Sequence, residues 1–335
     1  AALAAASHQD TRLFAREALK LVTFDEPSVQ ALIARLVAVL QPLGEDETQR
    51  AIDVCQTLRE VFGDRMRRVG PDVIRDLLAP PLTPVQQFAG DLLLNHETLA
   101  ANPPVEVLRK LLEANHESVR SIGVRIVSGL PDDVLARSID LLLMLVRSEH
   151  EDVRANIRPT ILRLASSDPH FGRNIAARLV EALLVPGAPE GVPTATAALL
   201  RDDLRTYLDE ISAEMVWKLL QSRSAPAQEI GGILLTTNVD GASISVPQIV
   251  QLASHDVLAV REASWQMCRQ QLPRLEHQIV EAARIIDADW EDSRRFAFEL
   301  FREQFTGDHF PTGVLVIMCY SVPADVQQLG RDLVN

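Results

Sequence analysis

The sequence predicts an all-α fold, a right-handed α-solenoid of about ten two-helix repeats. Three observations carry that prediction. One local pattern returns every 33–39 residues along the 335-residue chain. Two further columns of residues, found by offset from that pattern, keep their character from repeat to repeat. The composition is rich in Ala, Leu, Val, Ile and Arg with only 4% aromatics, which favours helices. A fixed period of this length is the mark of a repeat array.

The pattern is plainest in "NHESVRSIGVRIVSGL" (115–130) and "EHEDVRANIRPTIL" (149–162), which open almost alike. With Val119 and Val153 as anchors, it reads as a small or β-branched residue, often followed by Arg or Gln. A small residue comes four on, and apolar residues seven and eight on. It recurs at Thr11, Thr48, Val85, Val119, Val153, Val192, Ala227, Val260, Ser293 and Val326. Eight residues before these anchors stand Leu3, Leu40, Leu77, Leu111, Leu145, Leu184, Leu219, Leu252, Ile285 and Met318, all apolar. Composition alone would make about half of them so. Four residues after the anchors come Ala15, Ile52, Ala89, Gly123, Ile157, Thr196, Gly231, Ser264, Ala297 and Gly330, eight of them small.

Each repeat therefore reads as two helices. The first ends near the −8 residue, as in "PPVEVLRKLLEA" (103–114), where Val105, Leu108, Leu111 and Leu112 share one helical face. The second opens at the anchor, and its small +4 residue lets a neighbouring helix approach. Pairs such as Leu92/Leu93, Ile126/Val127, Leu199/Leu200, Leu234/Leu235 and Leu300/Phe301 complete the buried stripe. Pro84, Pro226 and Pro323 sit just before anchors, where a missing N–H costs little. Breaks at "PPLTP" (80–84), "VPGAPEGVP" (185–193) and "NVDGASISVP" (238–247) separate helices, and Pro193 makes the repeat at Val192 the weakest. A pair of short amphipathic helices cannot bury its apolar face alone, so neighbouring pairs must stack into one core. The reading is a single array over residues 1–335. Neither end carries a polar cap, so the expectation is a segment of a longer protein.

Two helices per period, with "D/E-x-VR-x-x-A/G" opening the second, resembles the HEAT/armadillo-like repeat superfamily over essentially the whole chain. The tetratricopeptide and ankyrin patterns are missing. The resemblance implies that Arg12, Arg120, Arg154, Arg261 and Arg294, one after their anchors, form a structural ladder with acidic turn residues. Asp10, Asp152, Asp256 and Asp292 are the candidate partners. Gln49, Gln86, Gln228, Gln327 and Pro193 interrupt that ladder. The resemblance also implies that second helices line a concave face. Arg120, Arg125, Arg154, Arg158 and Arg163 would then make a cationic strip there. The plainer reading is solvated arginines paired with Glu117, Glu151 and Asp152. The sharper one is a docking site for an acidic peptide or a phosphate backbone.

Other chemistry finds little support. His8, His116 and His150 stand three before their anchors. Equivalent positions in adjacent repeats lie about 8–10 Å apart, too far for two such histidines to share a zinc ion, whose ligands converge to about 2 Å. They read as turn residues, with acids beside them favoured by the helix dipole. In "DWEDSRRF" (289–296), Asp289, Glu291 and Asp292 read as first-turn acids and Trp290 as a packing residue. HExxH, GxSxG, P-loop, GxGxxG and CxxC motifs are absent. Cys55, Cys268 and Cys319 are far apart and read as reduced thiols of a cytoplasmic protein. No wholly apolar run, 141–146 included, exceeds seven residues, too short for a membrane span. A net charge of −13 disfavours a general nucleic-acid or anionic-membrane binder.

The expected function is a non-catalytic scaffold presenting an extended helical surface to a protein partner or to other domains of its own chain. No cofactor, metal, membrane or small-molecule substrate is inferred. The alternatives are a nucleic-acid-binding solenoid using the arginine strip, or a HEAT-like enzyme acting on nucleobase or tetrapyrrole.

Overall fold

The computed structural model describes residues 1–321 and 324–334, with the backbone alone at 325. Pro323 lies outside the described residues. Those residues form helices and turns, with no strand among them. The chain divides into two compact units, Ala1–Leu164 and Ala165–Asn335.

In the first unit the helices alternate as the period predicts. A 3-10 turn Leu3–Ala5 precedes the helix Gln9–Lys20; then come Glu26–Leu40 and Thr48–Met66, Pro71–Leu77 and Thr83–Leu94, and Val105–Leu112 and Glu117–Ser128. Two short helices, Asp132–Arg137 and Ile139–Val146, lead into Glu151–Ser167. The second unit pairs Pro169–Leu183 with Val192–Asp202, Ala213–Gln221 with Ala225–Asn238, and Val246–Ala253 with Leu258–Gln270. A broken first helix (Leu272–His277, Ile279–Ala282, Ala283–Asp287) then precedes Glu291–Gln304, and Thr312–Cys319 precedes Ala324–Val334. Every anchor falls in the first turn of a second helix. Within each unit, most second helices pack on neighbouring second helices and on the first helix of their own pair. This is a stack of helical repeats, an α-solenoid arrangement within each unit. Among the described residues no helix is long and apolar enough to cross a membrane.

The offset columns turn out to be one packing contact. A Cβ added at Gly123 would stand 3.1 Å from the Leu111 Cβ, and at Gly231 it would stand 3.1 Å from the Leu219 Cβ. The small +4 residue is thus the seat of the −8 residue of the same repeat, and glycine there lets the two helix backbones close. Leu40, Leu77, Leu111, Leu145, Leu219, Ile285 and Met318 are buried at −8, and the five +7/+8 pairs are buried throughout.

Four positions depart from the expected pattern. Val105 is 69% exposed and Val107 takes its place in the core, because the helix begins at Val105 and its first residue lies beyond the packed face. In the repeat at Val192 the buried residue is Leu183, and in the repeat at Val260 it is Ala253. In the first the buried residue stands nine before the anchor, in the second seven before it. Leu3 is exposed, and Ala4 and Ala5 of the same 3-10 turn are buried in its place.

Prolines 84, 193, 226 and 247 all occupy first turns of helices, where no intrahelical N–H is needed. One turn is held by a residue the sequence did not flag. Buried His96 places its Nε2 2.8 Å from the Val69 carbonyl, while its Nδ1 accepts from the N–H groups of Thr98 (3.2 Å) and Leu99 (3.1 Å). The ring proton therefore sits on Nε2, and both nitrogens are committed to structure.

Candidate functional site

Where arginine follows the anchor, it does one job in all five repeats and, among the described residues, a second job in three of them. Its first is inside its own repeat. Arg12 Nη1 donates to Ala6 O (2.9 Å) and Ser7 O (2.7 Å), and Arg120 Nη1 to Ala114 O and Asn115 O (both 2.8 Å). Arg154 does the same to Ser148 O (2.7 Å) and Glu149 O (2.9 Å), and Arg261 to His255 O (2.8 Å) and Asp256 O (2.9 Å). Arg294 reaches Ala288 O (2.7 Å) and Asp289 O (3.0 Å). In all five the acceptors lie six and five residues back, at the end of the first helix and in its turn. Carbonyls there have no intrahelical donor, and the guanidinium supplies one. Glutamine does half of this work: Gln86 Nε2 donates to Pro80 O (3.1 Å) and Gln228 Nε2 to Ser222 O (2.7 Å).

The second job joins repeats. Arg120 holds Asp152 of the next repeat through Nε (2.9 Å) and Nη2 (2.8 Å). Arg261 holds Asp292 of the next repeat at 2.6 Å. Arg12 pairs with Asp53 at 2.6 Å, both almost fully buried. Asp53 was not among the expected partners, for it lies within the next second helix and not in the turn. Asp10 and Asp256 do not serve as ion-pair partners of these arginines among the described residues. Arg154 has no carboxylate partner there, and its buried Nε has no hydrogen-bond partner. For Arg294 the equivalent partner position is 325, whose side chain lies outside the described residues. Trp290 places its ring 4.3 Å from the Arg261 guanidinium carbon, so it covers an inter-repeat ion pair, a role that the sequence reading did not assign.

His8, His116 and His150 contribute mainly backbone. Their carbonyls accept the N–H of Arg12 (3.3 Å), Arg120 (3.1 Å) and Arg154 (3.3 Å). The His8 and His116 side chains make no cap bond.

The five strip arginines do not form one exposed row. Arg120 is buried and bound to Asp152. Arg154 turns toward the carbonyls of its own turn. Arg163 is exposed and paired with Asp132. Arg125 and Arg158 are exposed, and Arg125 makes no ion pair among the described residues.

Arg125 instead lines a groove of about 540 Å³ built from three consecutive second helices. Its walls include Gln56 and Arg59, then Gln87 and Asp91, then Ser121 and Arg125. Gln87 and Ser121 stand two after their anchors, and Asp91 and Arg125 six after. The second unit repeats the arrangement in a groove of about 390 Å³. There Glu229 and Glu262 hold the +2 positions and Ile233 and Gln266 the +6 positions. Apart from Arg125, these residues escaped the sequence reading because the two positions are not uniform in type. They are half-buried or exposed in every case.

Cys55 lines the first groove, yet neither it nor Cys268 offers a nucleophile. Burial pushes the Cys55 and Cys268 thiols up to about 12, where no thiolate forms near neutral pH.

No protein-family model matches the chain, and no curated protein matches it. Among solved structures, the chain is similar to one from work on tubulin recruitment and assembly by microtubule polymerases with Tumor Overexpressed Gene (TOG) domain arrays. The identity is 11%, the TM-score 0.31, and the match covers 99% of this chain and 93% of that one. The fold assignment rests on the helices and their stacking.

Proposed function

We propose that this chain is a non-catalytic interaction module, which binds other proteins or other domains of its own chain along its second-helix faces. One observation carries the reading. In each unit, three successive second helices line a groove, and two of the three do so from equivalent positions, two and six after their anchors. Repetition thus generates a surface in which side chains from several rungs can meet one extended partner. The regular period over residues 1–335 supports treating all ten repeats as one array. A nucleic-acid surface has less support, because Asp152 and Asp132 neutralise Arg120 and Arg163.

The test is affinity capture from the source cell with the wild-type chain and with groove variants. Gln87→Ala with Arg125→Glu alters one groove; Glu262→Ala with Gln266→Glu alters the other. The expected result is loss of specific partners from at least one double variant while helical content and the unfolding midpoint stay unchanged. Retention of every partner by both double variants would overturn the reading.

A further inference from the structure

The two grooves share their geometry and differ in charge. In the first unit, the groove holds Arg59, Asp91 and Arg125. Arg59 pairs with Asp91 at 2.8 Å and lies 5.5 Å from the Phe88 ring centroid, so these two charges cancel. Arg125 is left as the uncompensated charge among the described lining residues, on a chain of net charge −13. In the second unit, Gln266 stands at the position equivalent to Arg125, and Arg201 is bound to Glu229. Arg205 and Glu262 remain there, and their charges balance.

We infer that the groove of the first unit binds an extended peptide segment that carries a carboxylate side chain, with Arg125 as the residue that meets it. This inference rests on the interaction-module reading. Helices that pack about 8–10 Å apart make three of them span about 16–20 Å. That length holds about five or six residues of extended chain at roughly 3.3 Å each. An extended segment exposes backbone N–H and C=O groups at every residue. Gln87 offers an amide that can donate and accept, and Ser121 a hydroxyl, at successive rungs of the groove. The exposed guanidinium of Arg125 presents a planar fork that fits a carboxylate by two parallel hydrogen bonds. Nucleic acid asks for cations at several successive phosphates; here Arg59 is already paired and Arg120 is buried in its own rung.

The probe is a fluorescein-labelled decapeptide of alternating serine and glutamate. Controls are the serine–lysine decapeptide and a single-stranded DNA 12-mer. Binding to the full chain is read by fluorescence anisotropy at low salt. The serine–glutamate peptide is expected to bind, and Arg125→Glu to weaken it about tenfold or more, a loss in keeping with a charge-assisted pair. Lys110→Glu, an exposed charge reversal on a first helix outside both grooves, should leave it unchanged. Both positions are exposed, and circular dichroism checks that each variant folds. No binding of the serine–glutamate peptide, equal binding by Arg125→Glu, or equal binding of the serine–lysine peptide would overturn the inference. Binding of the DNA alone would overturn it in favour of a phosphate-backbone surface. Should the peptide fail while the Glu262 and Gln266 variants still lose partners, the interaction module stands and only this ligand falls.

Discussion

Arg120 and Asp152 lie 32 residues apart and are joined by three hydrogen bonds, Nε to Oδ2 at 2.9 Å, Nη2 to Oδ1 at 2.8 Å and a longer one from Nε to Oδ1 at 3.2 Å. The remaining terminal nitrogen of the same guanidinium closes the turn of its own repeat through Ala114 O and Asn115 O. One side chain thus satisfies the end of one helix and fastens the start of another, one repeat away.

That double duty separates two substitutions that look alike. Arg120→Gln keeps at most the carbonyl bond and leaves Asp152 unpaired in a mostly buried place. It should lower unfolding stability by about 3 kcal/mol, the scale of a broken buried pair. Arg154→Gln removes a guanidinium that has no carboxylate partner and an Nε with no acceptor. Gln86 and Gln228 already hold the equivalent carbonyl in other repeats. Its cost should stay within about 0.5 kcal/mol. Urea denaturation of the two variants measures both; equal losses would refute the distinction.

The pair also sets a pH dependence. Burial alone would raise the Asp152 carboxyl, but the hydrogen bond and charge of Arg120 outweigh it and hold the group below its ordinary 3.8. A carboxyl depressed in the folded state adds stability that is present above the unfolded value. That stability is lost as pH falls below about 4, through the folded value. The difference in stability between wild type and Asp152→Asn should therefore be constant from pH 5 to 8 and shrink below pH 4. A difference that stays flat down to pH 2.5 would contradict this.

Glycine separates the packed seat from the open helix. At Gly123 an added Cβ would meet Leu112 at 3.0 Å and Leu111 at 3.1 Å, whereas at Gly63 nothing lies within 4 Å. Gly123→Leu should destabilise by about 2 kcal/mol or more through overpacking. Gly63→Ala should stabilise by roughly 0.5–1 kcal/mol through backbone entropy. Thermal unfolding of the two variants reads opposite signs.

The thiols offer a check on burial. With Cys55 and Cys268 pushed up to about 12 by desolvation, both should resist an aromatic disulfide reagent at pH 8 in the native protein. Both should react within seconds to minutes once guanidinium unfolds the chain. Fast native labelling of either would show that its surroundings open.

Several repeats reuse one contact, and that is why the fold could be read from the chain. The −8 and +4 columns were found only by counting, yet Leu111 against Gly123 and Leu219 against Gly231 show them to be the two sides of one helix crossing. The exposure of Val105 depends on where its helix starts. Helix ends are set by a few competing hydrogen bonds, so periodicity fixes them only to within a turn.

By itself the sequence determined the all-α class, the period, the anchors and the buried stripe. Helical spacing and repeat stacking write these into local order, and every repeat reports them again. Only the tertiary structure decided which acid each arginine takes. Asp53 reaches Arg12 from inside a helix, while Asp152 and Asp292 reach theirs from first turns. It also decided that Arg120 turns inward while Arg125, five residues on and nearly 1.4 helical turns around the same axis, faces a groove. Partners across repeats and the sides of a groove depend on how one helix sits beside the next, and no single repeat contains that information.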